Sequence, residues 1–169
     1  MNPYSSENCQ ILEQGILLLE SISNESYERK FEVMDASIGG HFRHILEHYD
    51  LFWEGLKTGH IDYDNRKRNP KLETDRLYAI SSLLDCTSKF QKETFSSESV
   101  VISQNYNPWE SVPMIPSSIN RELKFLVSHT VHHYAIVSIL VKLDGGTLPN
   151  GFGFSPATLF AKATTDLKI

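Results

Sequence analysis

The sequence predicts an all-α protein: a four-helix bundle with a short hairpin or extended excursion before the last bundle helix, and a short C-terminal helix. Three observations carry that prediction. Four long segments place apolar residues at helical spacing. The stretch from Ser99 to Pro116 breaks the period with β-branched residues and with Pro113 and Pro116. A serine, threonine or aspartate stands at the head of each long segment, where a helix needs a side-chain acceptor. At 169 residues, 40% of them hydrophobic, the chain is about one domain, 1–169, able to bury a proper core.

The first helix is expected from about Ser6 to Ser23, with Ser5 or Ser6 as cap and Ile11, Leu18 and Leu19 as its stripe. NESYERKF follows as a polar connector or short helix. The second long helix starts near Ser37, buries Phe42, Ile45, Leu51 and Phe52, and fades over Gly55–Gly59, where glycine can close it. HIDYDNRKRNPKLE has turn formers, mixed charges and no period, so it reads as loop. Thr74 or Asp75 caps a third helix whose apolar face is Leu77, Ile80, Leu84 and Phe90. Within the following excursion, VVIS is strand-like and YNPW is turn-like. Ser117 or Ser118 caps the fourth helix, with Glu122 in its first turn, and Asp144-Gly145-Gly146 ends it. The tail holds a short helix from Pro156, a favoured first helical residue. No internal repeat or linker interrupts the chain.

A net charge of −5 and a pI near 5.8 argue against general affinity for nucleic acid or anionic membrane. The compact basic run Arg66–Lys71 follows Asp62 and Asp64 and reads as a solvated loop, with a nucleic-acid role the weaker alternative. Cys9 and Cys86 stand in no ligand spacing and read as free thiols of a reducing compartment. The N-terminus lacks a basic n-region, and apolar runs such as Ala135–Val141 are too short to span a bilayer, so a cytoplasmic protein is expected. Nucleophile-elbow, phosphate-loop and dinucleotide motifs are not found.

Six of the seven histidines fall in two clusters: His41, His44 and His48 in GGHFRHILEHYDLFW, and His129, His132 and His133 in VSHTVHHYAIV. On a helix the first three lie within about 60° of one another, and His129 and His133 stand about 6 Å apart along the axis and about 40° apart around it. Neutral imidazole is the commonest protein metal ligand, and an i, i+4 pair can share one ion. A third imidazole from the other cluster would give three ligands and one open position, as in catalytic sites. An ion so held keeps its full charge and acidifies a bound water, which suits hydrolysis or activation of a thiol. Glu47 and Asp50 are candidate auxiliary carboxylates, though helix-surface carboxylates are ordinarily solvated.

SIGGHFRHILEHYDLF followed by SHTVHHYAIV on a long helix resembles the DinB-like superfamily of four-helix-bundle metal-dependent proteins, and the resemblance covers most of the chain. It implies a divalent ion, nickel or zinc, held by one histidine of the second helix and an HxxxH pair of the last: here His44, His129 and His133. His41 and His48 share the face of His44, and His132 is an i+3 alternative to His133. His48, His132 and Glu47 are therefore candidate auxiliary groups. The resemblance further implies a small-molecule substrate, a hydrolase or a thiol-cofactor-dependent transferase or isomerase, and a low-molecular-weight thiol as a cofactor. A non-catalytic, metal-stabilised bundle, paired as a homodimer, is the alternative.

Overall fold

The computed structural model describes residues 2–95, 98–103 and 109–166. Four long helices pack around one core: α1 (Pro3–Ser21), α3 (Ile38–Leu56), α5 (Arg76–Lys92) and α6 (Ile119–Leu143). Short helices α2 (Asn24–Glu28) and α4 (Lys71–Thr74) and the C-terminal α7 (Pro156–Asp166) complete the helical part. The core is mainly apolar, with Ile11, Leu18, Phe42, Phe52, Phe90 and Val137 fully buried.

The caps follow local chemistry. Ser37, Asp75 and Ser118 each accept a backbone N–H from the first turn of α3, α5 and α6. The first helix differs from expectation: Asn2 accepts from the Tyr4 amide at 2.9 Å, and Pro3 opens the helix, so Ser5 and Ser6 lie inside it.

The chain is not the all-α bundle its periodicity predicts. A three-stranded mixed sheet, in the order β1-β2-β3, is built from β1 (His60–Asp62), β2 (Ser99–Ser103) and β3 (Met114–Ser118). Of the hairpin or extended excursion expected here, β2 and β3 form an antiparallel hairpin, Ser99 opposite Ser118 and Ile102 opposite Ile115. The addition is β1, which pairs parallel to β2 within the stretch expected to be loop. Ile61 drives it. Its side chain is fully buried against α3, where a Cβ on Gly55 would meet Ile61 Cγ1 at 2.6 Å. Pro116 is tolerated because β3 is an edge strand. Of the expected turn, Tyr106–Pro108 lie outside the described residues.

A second correction concerns α5. Leu77 and Leu84 are exposed, at 66% and 50%, whereas Ala79, Leu83, Cys86, Thr87 and Phe90 are buried. Two stripes share this helix at helical spacing. The one that faces the neighbouring helices carries the small residues Ala79 and Cys86, which permit close approach. Taken whole, α6 is long and apolar enough to cross a bilayer, unlike its Ala135–Val141 run, but here it packs on α1 and α3 within the bundle.

Candidate metal centre

The packing of α3 on α6 turns both histidine clusters toward each other. His44 Nε2 stands 3.1 Å from His129 Nε2, and His133 Nε2 stands 3.2 Å from that same atom. His41 Nδ1 faces His133 Nδ1 at 3.0 Å. His48 stacks on His129 with ring centroids 4.0 Å apart. His44, His48 and His129 each offer a nitrogen within 4.8 Å of the other two, close enough to hold a metal ion together. His132 is exposed and touches the cluster only through its ring edge on His133. His60 is elsewhere, bonded to Ser103 Oγ at 2.9 Å.

The imidazoles are held neutral. Burial, reinforced by the neighbouring rings, pushes His44 down to about 3, His129 to about 2 and His133 to about 4, and burial also lowers His41 and His48. Each neutral ring has one lone pair and one N–H to place. His48 spends its Nδ1 on the His44 carbonyl at 2.8 Å, leaving Nε2 free. Two buried nitrogens, His41 Nε2 and His129 Nδ1, have no partner.

Two groups taken for solvated charges prove to be part of the surround. Glu47 is buried, 5% exposed, with Oε1 accepting from the Asn69 amide at 3.1 Å and from Arg43 Nη1 at 3.3 Å. The loop between β1 and α4 folds over it, which sequence could not signal. Arg66 leaves the basic run and places Nη1 2.6 Å from His44 Nδ1. The rest of the run faces outward: Lys67 pairs with Glu54 at 2.7 Å and Lys71 with Asp75 at 3.9 Å. That dispersal leaves no continuous basic face in the loop. Asp50 is exposed, as expected, and lines a separate cleft with Tyr78 and Asp85. Cys9 and Cys86 are unpaired and buried, and burial pushes the Cys86 thiol up to about 12.

The sequence reading also missed Tyr63. Its ring stacks on His48 at 5.6 Å, and its hydroxyl donates to the fully buried Glu122 at 3.0 Å. On the other side of the cluster a cavity of about 280 Å³ opens, lined by Lys30, Ser37, His41, His44, Glu73 and His133.

Fold and site together define a helical bundle with an appended sheet and a histidine cluster between two of its helices. No family model matches the chain. The chain is similar to FK506-binding protein 5 of Rhizopus delemar, 31% identical over 106 residues, which cover 59% of this chain and 26% of that protein. It thus spans about a quarter of the length of this relative.

Proposed function

We propose that the chain is a metal-dependent enzyme of the DinB-like kind, a hydrolase or a thiol-cofactor-dependent transferase or isomerase acting on a small molecule. The ion, nickel or zinc, is held by His44, His129 and His133. One observation supports this most: the Nε2 atoms of His44 and His133 lie 3.1 and 3.2 Å from His129 Nε2. Two nitrogens bound to one ion at about 2.0–2.1 Å lie roughly 2.9–3.4 Å apart at right to tetrahedral angles. His129 Nε2 also faces two other ring nitrogens at once, and its one lone pair or one proton cannot satisfy both in full. The spacing of these nitrogens about His129 therefore suits a divalent transition metal.

When bound, such an ion supplies Lewis acidity toward water, a thiolate or a carbonyl oxygen. The residues around it do the rest. Burial keeps the ligand rings uncharged at neutral pH, each with one lone pair to offer a cation. His41 lines the cavity beside His44 and His133, where it can hold a proton at a bound substrate. Glu47 is committed to Arg43 and the Asn69 amide, so it braces α3 against the loop and carries no proton to the centre.

The test is metal analysis of tag-free protein after dialysis against zinc or nickel. Wild type and His60→Ala should retain about one ion per chain; His44→Ala and His129→Ala should retain almost none. Full retention by His129→Ala sinks the assignment. His48 favours a second reading, because its nitrogen lies within 4.8 Å of those of His44 and His129. His48 in place of His133 gives a different triad, told apart by whether His48→Ala or His133→Ala loses the ion. His48 added as a fourth nitrogen would close a tetrahedral shell and make the site structural. Cobalt substitution separates three ligands from four: a shell whose spectrum changes with an added thiol or small anion is open, and one blind to every addition is closed.

A further inference from the structure

Arg66 is half-buried, whereas Lys67, Arg68 and Lys71 of the same run are exposed. A guanidinium has donors and no acceptor, so its contact with His44 Nδ1 at 2.6 Å requires the lone pair to be on that nitrogen. A neutral ring then carries its proton on Nε2, the atom that faces His129. Ligation through Nε2 demands the opposite tautomer, with the proton on Nδ1. An N–H there would point at an N–H of Arg66. The Arg66 contact and Nε2 ligation by His44 exclude each other.

The same neighbourhood offers Arg66 another seat. Glu47 Oε2 lies 3.8 Å from Arg66 Nη1 and is buried without a hydrogen-bond partner. A rotation of the arginine side chain would exchange a neutral acceptor for a carboxylate, the stronger partner for a guanidinium. We propose that Arg66 is a latch on the metal centre: seated on His44 Nδ1 it blocks ligation, and ion binding moves it onto Glu47. The step is balanced. His44 gives up a proton at Nε2 and takes one at Nδ1, remaining neutral, and Arg66 stays charged throughout. The inference rests on the reading of His44 as an Nε2 ligand.

Two measurements test it: zinc and nickel affinity by competition with a chromophoric chelator, and the His44 tautomer from ring ¹⁵N shifts in chelator-treated protein. Arg66→Met should bind zinc roughly tenfold tighter than wild type or better, since it loses a charged donor that competes with the ion. Lys67→Met, which removes an equal charge from the same loop, should bind within about twofold of wild type. In wild type His44 should carry its proton on Nε2; in Arg66→Met that preference should be lost. Equal affinities for wild type and Arg66→Met, or a wild-type His44 protonated on Nδ1, overturn the latch and leave the metal centre standing. If neither wild type nor Arg66→Met binds an ion more tightly than His129→Ala, the metal centre itself falls, and the latch with it.

Discussion

Helices α3 and α6 bury two polar islands, and the two are built on opposite principles. In one, Tyr49 donates to Asn8 Oδ1 at 2.9 Å, and Asn8 Nδ2 donates to the Tyr4 and Leu123 carbonyls at 2.8 and 3.0 Å. Thr130 Oγ1 turns back to the Leu126 carbonyl at 2.8 Å. The amide and the hydroxyls all find partners, and the island ties α1 to α3 and α6. In the other, imidazoles confront imidazoles, and two buried ring nitrogens find nothing. An unpaired buried polar atom costs about 1–3 kcal/mol. The contrast supports the proposal that the second island takes a ligand, its histidines being close enough to hold a metal ion.

Acid should separate the islands most. The histidines of the cluster have folded-state values below their ordinary 6.5, so an unfolded chain takes up protons that the folded one refuses. Stability is therefore full above pH 6.5 and is lost progressively below it, down through about 4 for His133, 3 for His44 and 2 for His129. With roughly 1 kcal/mol for each of three half-buried rings, metal-free protein should lose about 3 kcal/mol between pH 7 and 5. A melting temperature unchanged over that range in chelator breaks the comparison.

Metal should act next. At a free zinc concentration a hundredfold above the dissociation constant, wild type should gain about 2.7 kcal/mol, and His44→Ala should gain almost nothing. Asn8→Leu should destabilise by about 2–3 kcal/mol in denaturant titration, because it strands the Tyr49 hydroxyl in the core. His129→Leu, a comparable polar-to-apolar change in the other island, should cost less. It removes the unpartnered Nδ1 but also the Nε2 that faces His44 and His133, so metal-free protein should lose about 1 kcal/mol or less, while the gain from zinc is abolished. A loss of 2 kcal/mol or more in that variant would show the histidine island to be structural.

The two islands were unequally visible in the sequence. Histidine is rare enough, and its two clusters regular enough, that helical spacing puts each cluster on one face, and burial of both apolar stripes would bring the two together. Asn8, Tyr49 and Thr130 carry no such signal, because single polar residues on amphipathic helices are ordinary. The long helices were legible because Ser37, Asp75 and Ser118 mark their starts and the apolar period marks their length. The α5 stripe misled because Leu77, Ile80 and Leu84 keep the same period as the buried Ala79, Leu83, Cys86 and Phe90, and size alone does not say which face approaches its neighbours. The strand β1 is three residues long, too short for alternation to register, and its partner β2 lies far along the chain. Glu47 and Arg66 escaped for a related reason: their burial depends on a loop closing over α3, a long-range event without local pattern.

The segment that delivers Arg66 is pinned at both ends. Tyr63 is buried and bonded to Glu122, and the Asn69 amide is bonded to Glu47, which leaves residues 64–68 between two fixed points. So short a span has little slack to lift as a lid. In the proposed latch, departure of Arg66 from His44 then needs only side-chain torsions, and not backbone opening over microseconds or longer. Capture of an ion at His44 should accordingly proceed in a single kinetic phase set by encounter, with no lag that lengthens as the solvent is cooled or thickened around the loop.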